Sequence, residues 1–366
     1  MRVKLKDITK FSKGTQINGK NLIDDGAYSY LNGGINPSGK WNEFNVAENT
    51  VTISEGGNSS GYVNYMNKAF WCGAHCYYLY DGPKNSKYLY YALKSQQERL
   101  FRIRSGACMP NIKKSDLGNF IIEYEEDETR QEEVVKVLEK CELLIEDYNK
   151  KLALLDEAVR ARFVEMFGDP IENQKNWQVV KIGDIATDVR YGTSKPAVEG
   201  GKYPYLRMNN LTVDGGLDLN NLKYIDIPDN EIEKCVVRKG DILFNRTNSI
   251  DLIGKTAVFN LLDDMVIAGY IIRIRLNNQI LPDVFSQYMN LEVMKKVLRG
   301  MAKGAVNQAN INAQELQSIK VYIPNMELQK QYVEFKEEID KSRSRIQKSL
   351  EASQELFESL MQEYFG

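Results

Sequence analysis

Residues 129–168 read TRQEEVVKVLEKCELLIEDYNKKLALLDEAVRARFVEMFG, and residues 327–366 read ELQKQYVEFKEEIDKSRSRIQKSLEASQELFESLMQEYFG. The second stretch repeats the plan of the first. Gln131 lies 36 residues before Phe167, Gln329 lies 36 residues before Phe365, and a glycine follows each phenylalanine. A repeat offset near 198 residues in a chain of 366 residues predicts two halves with one design.

Each stretch predicts one long helix. Apolar residues fill nine of ten positions spaced alternately four and three residues apart in the first stretch, and seven of ten in the second. The polar exceptions are Arg162, Lys336, Arg343 and Ser353, which either fix the pairing register or face a partner. No proline or glycine interrupts either run. This narrow apolar seam is typical of helices paired lengthwise over roughly 54 Å, although two long helices of an ordinary bundle remain the alternative.

Composition places the chain among ordinary globular proteins, with 43% hydrophobic residues, 27% charged residues and a net charge of −2. The start MRVKLKDITKF has no apolar core of a signal peptide, and no apolar run approaches 18 residues, so we expect a cytoplasmic protein. Five cysteines with a single histidine argue against a zinc site and for reduced thiols. The net charge does not point to nucleic acid, but the acidic helices leave the rest of the chain more basic.

The remaining sequence divides into two strand-rich units with the same order of segments. We predict domains at 1–125 and 173–325, each followed by a long helix, at 126–168 and 326–366. The segment VKLKDI at 3–8 matches VVKIGDI at 179–185. After a helical stretch in each unit, NIKKSDLGNF at 111–120 matches NINAQELQSI at 310–319, at a shift of 199 residues. The loops between these shared segments differ, as expected if two copies of one scaffold recognise different targets; simple divergence after duplication would look the same.

This ordered duplication resembles the specificity subunit of type I restriction-modification systems. The motifs on which this resemblance rests are VRKGDILFNRTNS at 237–249, GKTAVF at 254–259, and the two links that lead into the long helices. The resemblance covers essentially the whole chain. It departs from the family pattern in the first unit, whose nearest equivalent of the KGDILFNRTNS motif is AENTVTISEGGNSSGYV at 47–63, and in the first helix, which lacks the usual preceding proline.

The resemblance implies an α+β fold with a pseudo-twofold internal repeat, in which two target-recognition domains are separated by an antiparallel coiled coil of two long helices. It implies recognition of a bipartite double-stranded DNA target, together with two modification (methyltransferase) subunits and with restriction subunits. S-adenosylmethionine, ATP and Mg are expected on those partners, and no cofactor or metal on this chain. If the helices act as the spacer, changing their length should change the distance between the half-sites without changing their sequences.

DNA contacts are expected from polar loop residues, because Arg, Lys, Asn and Gln recognise base edges while Lys, Arg, Ser and Thr bind phosphates. In the first unit the candidates are Lys13, Thr15, Gln16, Asn32, Asn36, Lys40, Asn58, Ser59 and Ser60. In the second unit they are Arg190, Tyr191, Thr193, Ser194, Lys195, Arg207, Asn209, Asn210, Asn245, Arg246, Thr247, Asn248 and Lys303. Arg102 and Arg104 are further candidates for phosphate contacts.

Structural alternatives remain open for several of these residues. Residues 245–249 (NRTNS) could form a turn whose Asn and Ser side chains cap the backbone, and Arg207 could belong to an ion pair at the edge of the core. Arg102, Arg104 and Lys303 could lie on solvated helix ends. His75 lies in an apolar, aromatic stretch and is interpreted as a packed residue.

Catalytic motifs are missing from the sequence. We find no Asn/Asp-Pro-Pro-aromatic motif of an adenine N6-methyltransferase, no glycine-rich S-adenosylmethionine loop, and no P-loop. A single histidine leaves few options for acid–base chemistry. The sequence therefore predicts a non-catalytic recognition subunit, and the alternatives are a stand-alone DNA-binding protein and a coiled-coil scaffold without methyltransferase partners.

Overall fold

The computed structural model of the protein describes residues 1–106, 108–305 and 308–366. These residues form two compact units: unit 1 comprises residues 1–149 and 347–366, and unit 2 comprises residues 150–346. Each unit thus takes one part of each long helix. The domain boundaries predicted from the sequence, near residues 125, 168 and 325, place each long helix in a domain of its own. These boundaries stay a prediction.

Unit 1 begins with short strands and short helices. Its strands are β1 (Arg2–Lys4), β2 (Lys10–Lys13), β3 (Tyr28–Leu31), β4 (Gly39–Trp41), β5 (Thr50–Ser54), β6 (Val63–Met66), β7 (Phe70–Cys72), β8 (Cys76–Tyr80) and β9 (Ile121–Glu123). Its short helices are α1 (Leu5–Ile8), α2 (Ser86–Lys94), α3 (Gln97–Arg102) and α4 (Lys114–Gly118). Aromatic and β-branched residues fill the central strands β5 (TVTIS) and β8 (CYYLY), and most of them are buried.

The strands of unit 1 form two main sheets, with orders β2-β8-β5-β6 and β4-β3-β7, and a separate pair β1-β9. Strands β2 and β5 both run antiparallel to β8, so they are parallel to each other. Strand β3 is parallel to β7. Because parallel strands end at the same edge of a sheet, the loops that follow β2 and β5, and those that follow β3 and β7, leave together.

The long helix α5 (Glu128–Phe167) follows, and then unit 2 proceeds with its own strands and helices. The strands are β10 (Gln178–Lys181), β11 (Ala186–Tyr191), β12 (Tyr203–Leu206), β13 (Lys223–Ile225), β14 (Val236–Val237), β15 (Ile242–Asn245), β16 (Thr247–Asn248), β17 (Thr256–Val258), β18 (Met265–Ile267), β19 (Ile271–Leu276), β20 (Lys303–Ala305), β21 (Gln308–Asn310) and β22 (Lys320–Ile323). The helices are α6 (Ile182–Ile185), α7 (Asp229–Cys235), α8 (Pro282–Asn290), α9 (Glu292–Met301), α10 (Ala313–Ser318) and the second long helix, α11 (Met326–Phe365).

Unit 2 repeats the strand order of unit 1. Its main sheets have the orders β11-β19-β15-β17 and β13-β12-β18-β14, and β10 pairs with β22 as β1 pairs with β9. Strand β12 is parallel to β18, as β3 is to β7. Strand β15, which carries the ILFN part of the KGDILFNRTNS motif, therefore occupies the place of β5. The predicted internal repeat and the predicted equivalence of residues 47–63 with that motif are both confirmed.

Both long helices begin at side-chain caps. The Asp127 carboxylate accepts from the N–H of Thr129 at 2.9 Å, and the Asn325 side chain accepts from the N–H of Glu327 at 2.7 Å. Helix α5 stops where Gly168 takes a positive φ of 83°, the left-handed conformation that ends many helices.

Within unit 2 the two long helices pack antiparallel. The ring of Phe163 lies 5.4 Å from that of Tyr332, and Asp156 forms an ion pair with Arg343. From Phe163 back to Asp156 along α5, the contacted residue moves forward along α11 from Tyr332 to Arg343, so the two helices run in opposite directions. Val159 and Met166 of the apolar seam are buried in one cluster with Phe163 and Phe167, so the seam forms part of the core of this unit.

Within unit 1 the same direction holds. The guanidinium of Arg130 lies 5.9 Å from the ring centre of Tyr364. Farther along α5, Glu142 accepts from the Tyr91 hydroxyl at 2.6 Å, and the Tyr91 ring lies 6.4 Å from Phe357. The predicted antiparallel pairing of the long helices is thus confirmed within each unit.

The structure also differs from the sequence-based prediction in its shorter helices. The helical stretch before each link forms two helices, α2 with α3 and α8 with α9, whereas the sequence of the second unit predicts one helix there. Leu291 breaks the second pair because its backbone is extended, with φ −63° and ψ 143°. Among the polar exceptions of the seam, Arg343 forms an ion pair with Asp156 of α5, which favours a role in pairing register over one in binding a partner. Lys336 instead pairs with Asp283 in α8.

Candidate nucleic-acid interface

Four loops of unit 1 meet where strands β2, β3, β5 and β7 end. The N–H of Thr15 donates to Cys72 O at 2.9 Å, Gly73 N–H donates to Leu31 O at 2.8 Å, and Glu55 N–H donates to His75 O at 2.8 Å. We call residues 13–16, 32–36, 55–60 and 73–75 loop cluster 1.

The corresponding loops of unit 2 meet in the same way, after β11, β12, β15 and β18. The N–H of Thr193 donates to Ile267 O, Ala268 N–H donates to Leu206 O, and Arg246 N–H donates to Tyr270 O, each at 2.9 Å. We call residues 191–195, 207–210, 245–248 and 268–270 loop cluster 2.

A glycine allows the close approach in both clusters. A Cβ added to Gly14 would lie 1.9 Å from Cys72 O, and one added to Gly192 would lie 2.2 Å from Ile267 O. Both glycines are followed by threonine, in Lys13-Gly14-Thr15 and Tyr191-Gly192-Thr193. This shared Gly-Thr pair is a sequence signal for the position of the loops that the sequence analysis did not use.

Charged side chains in loop cluster 1 centre on one carboxylate. Glu55 accepts from Lys13 Nζ at 2.7 Å, and its other oxygen lies 3.4 Å from Nδ1 of His75. His75 has a side chain that is 61% exposed, so its interpretation as a packed residue is wrong. It lies on the tight turn between β7 and β8, and the apolar residues of these two strands make its sequence surroundings resemble a core.

Most candidates of the first unit lie on the accessible side of loop cluster 1. Lys13, Thr15, Gln16, Asn36 and Asn58 are exposed, and Asn32 and Ser59 are half-buried. Lys40 is also exposed, but it lies opposite Ser29 in the middle of β4, outside the cluster. Arg102 is exposed, whereas Arg104 donates to the carbonyl oxygens of Phe101 and Asn58 and packs on the Phe101 ring.

Arginine side chains stand out in loop cluster 2. The Arg246 guanidinium lies 4.8 Å from the ring centre of Tyr191 and donates to Gly269 O at 3.4 Å. Arg207 donates to Asn221 O at 3.2 Å. In the described parts of the chain neither arginine has a carboxylate partner, and the buried Nε of each has no hydrogen-bond partner. The expected ion-pair alternative for Arg207 is therefore not what this structure shows.

The other charged candidates of unit 2 are paired. Arg190, which lies in β11 rather than in the following loop, contacts Asp188 at 2.8 Å, and Lys195 contacts Glu231 at 3.0 Å. Lys303, at the start of β20, forms an ion pair with Glu315, and this hydrogen bond lowers the pKa of Glu315 below its usual value. Residues 306 and 307, between β20 and β21, lie outside the described residues.

Four candidates are buried, and their polar groups are used inside the fold: Ser60, Asn210, Asn245 and Thr247. The Asn245 amide donates to Thr247 O and Tyr270 O, each at 3.1 Å, and Asn210 accepts from the N–H of Arg207 at 2.9 Å. Ser60 donates to Glu55 O at 2.8 Å. Because a DNA contact needs an accessible polar atom, we correct the role of these four to holding the loops and keep the prediction for the exposed candidates.

The remaining candidates of unit 2 are accessible. Tyr191, Ser194 and Asn209 are exposed, and Thr193 and Asn248 are half-buried. Tyr270, which the sequence analysis did not select, is 51% exposed beside Arg246. Each cluster thus offers amide, hydroxyl and cationic groups, the set that binds base edges and phosphates.

Among the described residues, no group of three or more His, Cys, Asp or Glu residues is placed to hold a metal ion. None of the described helices has the length and apolar character needed to cross a membrane.

A protein-family model described as "Type I restriction modification DNA specificity domain" matches residues 1–156 and again residues 174–354. The chain belongs to this family. The two matches cover the two repeats in turn, and the resemblance drawn from the sequence motifs is confirmed.

Curated relatives of the chain are described as type I specificity subunits. The chain is 30% identical over 252 residues to a putative type I specificity subunit of Mycoplasma genitalium, covering 59% of this chain and 64% of that protein. It is 31% identical over 216 residues to a putative type I specificity subunit of Mycoplasma pneumoniae, covering 55% and 57%. With the EcoKI specificity subunit of Escherichia coli K12 it shares 21% identity over 221 residues, or 59% and 46%. The chain thus spans about half to two thirds of the length of these relatives.

Solved structures show the same fold. The S subunit of a type I restriction-modification system from M. genitalium has a TM-score of 0.67 at 20% identity, covering 100% of this chain and 96% of that chain. A chain from a structural study of assembly and conformational transition of the type I R-M system has a TM-score of 0.52 at 14% identity, covering 100% and 97%. The predicted α+β fold class, with two strand-rich domains and two long antiparallel helices, is confirmed by these likenesses.

Proposed function

We propose that the chain recognises a bipartite DNA target as the specificity subunit of a type I restriction-modification complex and directs adenine methylation and cleavage by its partner subunits. The observation that carries this proposal is the pair of loop clusters. Both are built at the same strand ends of the same topology, but they carry different side chains. Two such clusters can recognise two different half-sites.

The residues proposed to contact DNA are the accessible candidates. In unit 1 they are Lys13, Thr15, Gln16, Asn32, Asn36, Lys40, Asn58 and Ser59. In unit 2 they are Arg190, Tyr191, Thr193, Ser194, Lys195, Arg207, Asn209, Arg246, Asn248 and Lys303. Arg207 and Arg246 are the strongest, because among the described residues neither guanidinium forms an ion pair with a carboxylate, and arginine binds guanine edges and phosphates.

The proposed partners are two modification subunits, which bind S-adenosylmethionine and transfer the methyl group, and restriction subunits, which use ATP and Mg. In this proposal the chain is non-catalytic, binds no cofactor of its own and works in the cytoplasm. The family membership supports this division of labour. Rival roles as a stand-alone DNA-binding protein or a scaffold find no specific support in the fold.

Methylome sequencing of cells with and without the gene tests the proposal. We expect one bipartite adenine-methylation motif to disappear with the gene. Purified chain with co-expressed modification subunits should also bind duplexes containing that motif, with an affinity that falls as salt rises because phosphate contacts release counterions. An unchanged methylome, with no salt-dependent duplex binding, would leave the scaffold role instead.

The long helices are proposed to set the distance between the half-sites. Each is 40 residues long, about 60 Å at 1.5 Å per residue, which exceeds one turn of B-DNA. Removing one heptad from each helix should shorten the spacer of the methylated motif and leave both half-sites unchanged. A shortened, folded variant that keeps the original spacer would contradict this part of the proposal.

A further inference from the structure

Two lysines of unit 2 are buried without a carboxylate. Lys255, in the GKTAVF segment, and Lys295, in α9, are each 7% exposed. Throughout the described residues neither forms an ion pair. Burying an ammonium group is costly, and an apolar side chain of similar size would avoid the cost. The two charges therefore need an explanation beyond filling space.

The ammonium of Lys255 holds a loop of the candidate interface. Its Nζ donates to Met208 O at 2.7 Å and to Leu211 O at 2.5 Å. These carbonyls belong to the short turn that carries Arg207 and Asn209 in loop cluster 2. A lysine offers three donors from one atom, which suits two carbonyl groups that point to the same place.

A second layer holds the backbone beside Lys255. Lys295 Nζ donates to Gly254 O at 2.5 Å and to the Asn290 side-chain oxygen at 2.7 Å. The same oxygen accepts from Thr256 N–H at 3.2 Å, and the Asn290 amide donates to Thr256 O. The residues on both sides of Lys255 are thus fixed to helices α8 and α9.

Unit 1 holds its equivalent loop with different chemistry. There the loop after β3 is held by Asn64 in β6, whose amide donates to Ile35 O at 3.2 Å and Gly34 O at 3.5 Å. Ser59 donates to Gly33 O in the same loop at 2.6 Å. Strand β6 occupies the place that β17, directly after Lys255, has in unit 2. Each unit therefore ties one loop of its cluster to the same strand by side-chain donors.

We propose that Lys255 is a positioning residue for DNA recognition in unit 2, which fixes the backbone of residues 208–211 and so directs Arg207 and Asn209 toward one half-site. Lys295 and Asn290 support it by fixing residues 254 and 256. Asn64 has the matching role in unit 1. The inference rests on the proposed function and extends it to the residues that set specificity without touching DNA.

The test is selection from a pool of random DNA duplexes by the full chain, purified with co-expressed modification subunits. Wild type, K255M, K255Q and the matched unit 1 variant N64A are compared, and thermal unfolding shows that each is folded. Wild type should enrich a bipartite motif. K255M should lose about tenfold base discrimination in one half-site, which is the effect expected from losing one base contact. Its base discrimination in the other half-site should stay unchanged. N64A should affect the opposite half-site. K255Q, which keeps a neutral donor, should fall between wild type and K255M.

A folded K255M or K255Q complex with wild-type preference in both half-sites would overturn the inference. Equal loss in both half-sites would also overturn it, because a general loss of stability acts on the whole complex. If the wild-type complex enriches no bipartite motif, the proposed function fails and the inference fails with it. The wild-type arm thus distinguishes the two failures.

Discussion

Replacing Lys295 with methionine is expected to change how the stability of unit 2 depends on pH. Burial lowers the pKa of Lys295 from 10.5 to about 7. Below pH 7 the native and unfolded chains both hold this proton, and the native state carries the full cost of burying the charge. Between pH 7 and 10.5 the unfolded chain holds one proton more, so the free energy of unfolding rises with pH by about 1.4 kcal/mol per unit. In K295M this pH-dependent contribution to the free energy of unfolding is absent.

The expected size follows from that slope. Between pH 7 and pH 9, the stability of the wild type should gain about 2 kcal/mol relative to K295M. The free energy of unfolding of K295M should exceed that of the wild type by most below pH 7, where the native wild type buries an ammonium group. Lys296, the next residue in α9, is exposed, so K296M is the matched control and should follow the wild-type curve.

Urea unfolding from pH 6 to pH 9 measures this effect. Trp177 is the single tryptophan of unit 2, and its indole donates to Phe167 O at 2.8 Å, so its fluorescence in a W41F/W71F background follows that unit. If the wild-type and K295M curves stay parallel across this range, the charge of Lys295 does not change on folding and the reasoning is refuted.

Three further outcomes are expected. D283K should destabilise unit 2 by about 3 kcal/mol, because it replaces a carboxylate 2.9 Å from the partly buried Lys336 with a second cation. D283K/K336E should recover part of this loss in urea unfolding, since the new glutamate also lies near Asp340, which is 3.1 Å from Lys336 in the wild type; no recovery would mean that the pair does not act through charge. F163A should cost about 3–5 kcal/mol, since this fully buried ring packs against Tyr332, and a loss under 1 kcal/mol would contradict the packing. R246A should weaken binding of the selected duplex about tenfold, and an unchanged affinity would show that Arg246 is not in the interface. If Arg246 contacts a base, the dependence of log affinity on log salt concentration should stay the same in R246A, whereas loss of a phosphate contact should reduce that slope by about one.

Unit 1 shows the opposite arrangement to that of Asp283 and Lys336. There the cation is on the short helix, in Lys87, and the carboxylates Glu139 and Glu142 are on the long helix. This is why the swapped pair D283K/K336E is expected to be tolerated.

The long elements could be predicted from the sequence because their signal is repeated many times. Sixteen apolar positions in two runs of ten specify the paired helices, and each helix starts within three residues of the predicted stretch. The break at Leu291 could not be predicted, since an extended leucine between two helical runs leaves no proline or glycine to mark it.

The candidate interface was predictable in its segments but not in its side chains. A polar loop places both exposed and buried side chains close together in sequence, so Arg246 and Asn245 look alike until the backbone shows which one points inward. His75 was assigned to the core because aromatic residues flank it, yet a tight turn carries it to the surface. The burial of Lys255 could not be predicted, because a charged residue near a loop is normally expected in solvent.

The sharing of each long helix between the two units has a consequence for protein synthesis. Val134 and Leu138 of α5 belong to a core that also contains Met361 and Phe365, which leave the ribosome more than 200 residues later. Unit 2 is contiguous in the chain and can close as it emerges, but unit 1 must wait for residues 347–366. Its nascent form holds an uncovered apolar stripe for most of translation, which makes the first-made part of the molecule the last to be completed and the most exposed to chaperones and proteases.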